Sequence, residues 1–261
     1  MNRKDKDEEV EENRLNIQRE WQAFWLAVGF LTRIPMLVRV DYSQPLMNQS
    51  SVYFPLVGLM LGALYAGLYA LLAVWWSPLI SVLLVLAFHL WITGAFHEDG
   101  MADSVDGLGG GYTVERRLEI MKDSRIGTYG AAALVLVLLL KVVVLVAVSP
   151  VWLGLLVAPA VSRLTPLCLM RWLPYVTDPD TSKSKPVAEG FSRERLAVAA
   201  IAVALLVLVF QVAMAALLAV ALVVVVWGTM LKKNLGGYTG DALGASVVLS
   251  ELVFLLLLAA A

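Results

Sequence analysis

Four carboxylates, Glu98, Asp99, Asp103 and Asp106, fall within the stretch FHEDGMADSVDG (residues 96–107), which directly follows a long apolar run. In a helix, Asp99, Asp103 and Asp106 stand at i, i+4 and i+7 and share one face, with Glu98 beside them. Like charges on one face repel each other unless a cation sits among them. Hard oxygen ligands of this kind suit Mg²⁺ or a similar divalent ion. The same residues also allow a plainer reading, a solvated acidic loop at a helix end.

Further chemistry follows in three polar segments. Gly107, Gly109, Gly110 and Gly111 should end the acidic helix and let the backbone approach a ligand. Beyond them, MKDSRIGTYG (121–130) offers Lys122, Ser124 and Arg125 as donors to phosphate oxygens and Asp123 as one more metal ligand. Taken alone, Lys122 and Arg125 also fit an ordinary basic belt at a membrane surface. Beside a carboxylate cluster they read as the anion side of a metal and diphosphate site. In NLGGYTGDALGA (234–245), glycines 236, 237, 240 and 244 surround Thr239 and Asp241 just before an apolar helix. Such a helix N-terminus exposes backbone N–H groups to phosphate, although Asp241 would also serve as a simple N-cap. Lys183 and Lys185, in TSKSKPVAEGFSR, fit either substrate contact or loop charge.

These residues have to be held by membrane helices. With 60% hydrophobic and only 16% charged residues and a mean hydropathy of +0.78, the chain cannot be a water-soluble domain. The single cysteine, Cys168, excludes an intrachain disulfide. A ruler of about 20 apolar residues per crossing marks seven segments: 52–76, 78–97, 129–149, 151–173, 196–212, 214–231 and 242–261. The stretch 196–231 could instead be one long tilted helix. Residues 21–37 are short, aromatic and amphipathic and predict an interfacial helix ending at Pro35. Residues 1–20 alternate acid and base, with no signal peptide, and predict a disordered cytoplasmic tail before a single membrane-embedded domain, 21–261.

Every Lys and Arg outside the seven segments falls on the side of the long connections, and none falls at the short links near 77, 150 and 213. The positive-inside rule then predicts three hairpins and a last helix, with the N-terminus and the loops 98–128, 174–195 and 232–241 on one cytoplasmic face. The fold expected is an all-α polytopic membrane bundle of about seven transmembrane helices. Few ionisable residues lie well inside the apolar segments, where charge is costly and marks function by default: His89, Lys141, Arg163 and Glu251. Arg163 either pairs with Glu251 or projects into a polar cavity that accepts phosphate. His89 reads as a hydrogen-bonded interior histidine, and Lys141 has no partner identifiable in the sequence.

FHEDGMADSVDGLGG, MKDSRIGTYGAAALVL and GGYTGDALGA, with FLTRIP near the start, resemble the cobalamin synthase family, the adenosylcobinamide-GDP ribazoletransferases. The resemblance extends in order from about Trp21 to the last helix. It implies a multi-pass inner-membrane transferase of late adenosylcobalamin biosynthesis. That enzyme joins α-ribazole, or its 5′-phosphate, to adenosylcobinamide-GDP, releases GMP and uses Mg²⁺. By motif, Glu98, Asp99, Asp103, Asp106 and Asp123 become the metal set, and Lys122, Ser124 and Arg125 the diphosphate contacts, with Arg163, Thr239 and Asp241 as further substrate residues. Asp103 or Asp106 would be the general base. No nucleic-acid partner is expected, and a homo-oligomer is compatible with the reading. Two rivals share parts of this logic. A CDP-alcohol phosphotransferase would need an arginine where Ala102 is followed by Asp103, and a divalent-cation transporter would place carboxylates near mid-membrane on more than one span.

Overall fold

A computed structural model describes residues 3–176 and 192–260, with side chains from Ile17 onward. Lys183 and Lys185 lie outside the described residues. The first helix, α1 (Arg3–Leu31), is continuous through the segment expected to be a tail. Residues 3–20 contain neither Gly nor Pro and are rich in Glu, Lys and Arg, which favour helix. Ala23, Ala27, Val28 and Leu31 form its buried stripe, while Trp21 is half exposed. The helix stops ahead of Pro35, as the amphipathic pattern requires.

Helix α2 (Gln44–Ser50) begins at Ser43, whose side chain accepts the Leu46 N–H, and passes through one 3₁₀ turn into α3 (Phe54–Leu72). The next apolar segment is broken. Helix α4 (Pro78–Thr93) ends at Gly94 and Ala95, which both take positive φ, and α5 (Phe96–Gly110) leaves at 85° to it. The acidic segment is therefore a separate helix packed against the bundle. After α6 (Val114–Lys122) come α7 (Thr128–Ala147), α8 (Val151–Ser162) and α9 (Thr165–Trp172). Helices α8 and α9 form one crossing, interrupted at Arg163 and Leu164. The stretch 196–231 resolves into α10 (Arg193–Val209) and α11 (Met214–Leu235), separated at Gln211 with φ 52°. Helix α12 (Gly240–Ala259) completes the all-α membrane bundle.

All seven expected segments are helical, but they do not all span alike. Among the described residues, five stretches are long and apolar enough to cross: Gln44–Leu72, Thr128–Ala147, Val151–Trp172, Met214–Leu235 and Gly240–Ala259. The bent α4–α5 pair raises the number to six. Helix α10, with 17 residues, extends about 26 Å and falls short of a core of about 30 Å.

Burial separates inner from outer helices. The α8–α9 crossing is 78% buried and α12 is 61% buried, against 28–33% for the other three. Helix α12 packs against α5, α7, α8, α9 and α11. The outer rows, such as Leu136, Leu139 and Val143 on α7 or Leu218, Leu222 and Val225 on α11, are apolar and exposed, as lipid contact demands. Helix α3 reaches α8 through Gly58 and Gly62, a small-xxx-small pair: a Cβ at either would collide with the carbonyl oxygen of Pro159 or Leu156.

The long connections gather at one end of the bundle. Tyr238 N–H donates to Pro174 O (2.9 Å) and Val176 N–H to Tyr238 O (3.1 Å), which ties the connection after α9 to the α11–α12 link. Arg117 Nη1 donates to Asn234 O at 2.9 Å, joining α6 to the end of α11. Two of the short links also meet, where the Trp152 and Phe210 rings stand 6.1 Å apart. The packing at Gly62 makes a prediction. Gly62→Leu should lower the unfolding temperature in detergent by roughly 5 °C. Gly67→Leu, on the same helix with nothing within 4 Å of its Cβ, should leave it unchanged. Equal shifts for the two variants would show that the α3–α8 contact is not the constraint.

Candidate active site

At the loop end, a cavity of about 70 Å³ lies where α5, the α8–α9 break and the start of α12 converge. His97, Asp99, Arg163, Gly240, Asp241 and Gly244 are in its lining. The interruption after Ser162 positions Arg163, which is only 1% exposed. Its Nη1 donates to Pro159 O at 2.9 Å, whereas Nε and Nη2 have no hydrogen-bond partner in the structure. His97 Nδ1 is likewise buried without a partner. Buried polar groups are normally satisfied, so unpartnered polar atoms on two residues that line the cavity mark it as a place for a polar ligand group.

Helix α12 presents its N-terminus here. Thr239 is the N-cap, its side chain accepting the Ala242 N–H at 3.1 Å, so the capping role considered for Asp241 belongs to Thr239. Asp241 sits in the first turn and lines the cavity. Gly100 lets α5 lie directly on that turn, since a Cβ there would stand 2.6 Å from the Asp241 carbonyl oxygen. This close crossing brings Asp99 of α5 and Asp241 of α12 to one cavity. Predicted residues Asp99, Arg163 and Asp241 therefore converge on it, with Thr239 capping the helix behind them.

The carboxylates of the acidic segment separate. Among the described residues, no three His, Cys, Asp or Glu side chains form a group that could hold a metal ion. Glu98 is buried and bonded to His89 Nε2 at 2.8 Å. Asp106 accepts the Gly127 N–H at 2.7 Å and the Gly130 N–H at 2.8 Å, one on each oxygen, and so ties α5 to the start of α7. Asp99 and Asp106 do share a helical face, but seven residues set them about 10 Å apart along the axis. Asp103 lies between them, half-buried.

Asp123 is held by its neighbour Arg125, with Oδ2 2.6 Å from Nη2. The side-chain hydrogen bonds from Arg125, and then its backbone N–H, lower the Asp123 carboxyl to about 2, so the pair stays ionised at any ordinary pH. Lys122, Ser124 and Arg125 are exposed on the α6–α7 loop and are not in the cavity lining.

Within the bundle, Glu251 pairs with Lys141 (Oε1 to Nζ 3.0 Å) and not with Arg163. This supplies the partner that the sequence did not reveal. His89 is the interior, hydrogen-bonded histidine expected. His97 was not singled out, although its place between an apolar run and two carboxylates was a usable signal. A larger crevice of about 460 Å³ between α3 and α10 contains none of the predicted site residues. It is walled mainly by apolar side chains, with the Glu20–Arg195 ion pair among its lining residues. Burial raises the Glu20 carboxyl, but hydrogen bonds from Arg195 and Tyr53 outweigh it and leave the group below its usual range.

Asp99 and Asp241 are the two carboxylates in the cavity lining, the residues that would hold a divalent ion if one bound there. Mg²⁺ takes one or two protein carboxylates and completes its shell with water and phosphate oxygens, which Asp99 and Asp241 beside the open donors of Arg163 would permit. An all-α, multi-pass membrane protein with carboxylates, a buried guanidinium and a helix N-terminus around one cavity has the makings of a membrane-embedded enzyme acting on an anionic group. Comparison with known proteins gives the family. Residues 23–259 match the model of cobalamin-5-phosphate synthase. Adenosylcobinamide-GDP ribazoletransferases of Shewanella pealeana and Vibrio cholerae are each 45% identical to this chain. The alignments cover 92% of the chain and 96% of the first relative, and 93% and 95% for the second. The chain belongs to the cobalamin-5-phosphate synthase family. No solved structure matches it.

The Asp106 clamp is testable without substrate. Asp106→Ala removes the acceptor for two backbone N–H groups and should free the α6–α7 loop, speeding tryptic cleavage at Lys122 and Arg125 about tenfold or more in detergent. An unchanged cleavage rate would mean that the loop is held by other contacts.

Proposed function

We propose that this protein is a membrane transferase that joins α-ribazole, or its 5′-phosphate, to adenosylcobinamide-GDP and releases GMP, with Mg²⁺ as cofactor. The observation that carries the reading is Arg163, a buried guanidinium with two unpartnered nitrogens, Nε and Nη2, lining a cavity shared with Asp99, Asp241 and the N-terminus of α12. A diphosphate needs donors and positive charge: Arg163 and the N-terminus of α12 supply the donors, and a divalent ion on Asp99 and Asp241 would supply the remaining charge. Membership of the family, with relatives named for the same transfer over nearly the whole chain, selects the substrates.

Arg163 and the first turn of α12 receive the phosphate oxygens of adenosylcobinamide-GDP, and the enclosed setting strengthens each charge-assisted hydrogen bond. Asp99 and Asp241 would hold Mg²⁺, with Asp103 one turn from Asp99 along α5. When bound, Mg²⁺ neutralises diphosphate charge and favours departure of GMP. The ribazole hydroxyl attacks the phosphorus on the cobinamide side, a new P–O bond forms, and the bond to the GMP oxygen breaks in line. A carboxylate takes the hydroxyl proton. Because both Asp106 oxygens are engaged by backbone N–H groups, this role goes to Asp103.

The site end faces the cytoplasm of the inner membrane in this reading. Lys122, Arg125, Lys232 and Lys233 lie exposed at that end, which supports the orientation by the positive-inside rule.

GMP release by purified protein in liposomes with Mg²⁺ tests the proposal. Asp99→Asn, Asp103→Asn and Arg163→Gln should each reduce turnover by about 100-fold or more while the variants still insert into the membrane. Full turnover in Arg163→Gln would move the diphosphate elsewhere, and turnover indifferent to chelation of divalent ions would remove Mg²⁺ from the reading.

A further inference from the structure

Glu98 stands between two cavity residues in the sequence, His97 and Asp99, yet its side chain goes elsewhere. Its Oε1 lies 2.8 Å from His89 Nε2, and His89 Nδ1 lies 2.8 Å from the Tyr65 hydroxyl. All three side chains are buried, at 5%, 4% and 3% exposure for Glu98, His89 and Tyr65. With Glu98 ionised and the imidazole neutral, Nε2 carries the proton and donates to Glu98, and Nδ1 accepts from the Tyr65 hydroxyl. The chain of bonds crosses three helices, α3, α4 and α5. It also crosses the 85° bend, because His89 precedes Gly94 and Ala95 and Glu98 follows them.

The Gly94 and Ala95 N–H groups both reach back to Leu90 O and close the end of α4, and the first backbone bond of α5 runs from Asp99 N–H to Ala95 O, so the bend is capped on each side without a helical bond from α5 to α4 to set its angle. Something outside the backbone has to fix α5, and α5 supplies His97 and Asp99 to the cavity. The geometry points to Tyr65, His89 and Glu98 as a strap that fixes the angle between α4 and α5, with Glu98 a positioning residue for the reaction and not a metal ligand. The strap rests on the proposed function only for its effect on turnover; its effect on the bend stands independently. Arg163 and the start of α12, which take the phosphate oxygens, are not on α5, whereas Asp99 and the proposed base Asp103 are, so the strap acts more on the reacting geometry than on substrate binding. Loss of the strap should therefore lower kcat and leave KM nearly unchanged. A shift of about 1 Å in a reacting geometry costs on the order of 100-fold.

The test uses the full-length protein with Cys168→Ala and spin labels at Trp91→Cys on α4 and Gly110→Cys on α5, both exposed positions. The inter-label distance distribution is read in liposomes together with kcat and KM. Glu98→Gln keeps the shape and an acceptor for the His89 N–H, and should retain a narrow distribution and most of kcat. Glu98→Ala and His89→Ala should broaden the distribution and reduce kcat by about 10- to 100-fold at near-constant KM. Tyr65→Phe, which leaves the His89–Glu98 bond in place, should lie between them. An unchanged distribution in Glu98→Ala would overturn the strap, as would loss of turnover in Glu98→Gln with the bend intact, which would make Glu98 a direct participant. If the unsubstituted protein released no GMP, the functional reading would fail while the distance measurement still decided the strap.

Discussion

A guanidinium shut inside a membrane bundle is the constraint around which this structure is organised. Arg163 cannot shed its charge, and bringing it out of water is tolerable only if its donors find acceptors. The Pro159 carbonyl satisfies one nitrogen, and two have no hydrogen-bond partner in a residue that lines a cavity. The surrounding elements follow from that need. The crossing breaks at Arg163, so the side chain leaves the helix where backbone groups are already irregular. Asp99 and Asp241 sit across the cavity and moderate its positive potential. The residues that make the site costly to fold are thus the ones that give it an appetite for an anion.

Two glycine contacts make the arrangement geometrically possible. Gly100 allows α5 to rest on the first turn of α12, and Gly58 with Gly62 allows α3 to press against α8 just before the break. Neither position is chosen for flexibility; each is a place where no side chain fits. Helix α5 consequently works as a hub with distinct directions. Glu98 faces α4, Asp99 faces the cavity, and Asp106 faces the start of α7. A run of carboxylates that looks like one charge cluster in sequence is divided among three tasks.

That division explains what could be read in advance. Apolar run length and the absence of charge at the short links revealed the helical segments and the gathering of the long connections, because both depend only on local composition and on the bilayer. The Gly58-x-x-x-Gly62 spacing was equally visible in the chain. The fate of the acidic residues was not. Their shared helical face is a local property, but the 85° turn at Gly94 and Ala95 and the donors at His89, Gly127 and Gly130 are tertiary. The same holds for Glu251, whose partner Lys141 lies 110 positions earlier. Residues 3–20 mislead in the opposite direction: alternating charges lower hydrophobicity enough to resemble a disordered tail, while Glu, Lys and Arg favour the helix that forms.

The size of the cavity sharpens the division of labour in the proposed reaction. About 70 Å³ is well below the roughly 300–1,000 Å³ of sites that enclose a whole small molecule. It accommodates a phosphoryl group and leaves the nucleoside and the far larger corrinoid outside. Buried charge is then spent only where charge moves, on the phosphates and the attacked phosphorus, and the bulk of both substrates is left to the loop end of the bundle. Exposed there are Tyr112 on the α5–α6 link and Ile126 and Tyr129 around the α6–α7 connection that Asp106 ties down. A clamp on that connection therefore does more than shape a loop: it keeps the outer surface in register with α5, and α5 in turn carries Asp99 in the cavity lining. Coupling between the bulky exterior of the substrates and the small interior site runs through one helix, held at its start by Glu98 and near its end by Asp106.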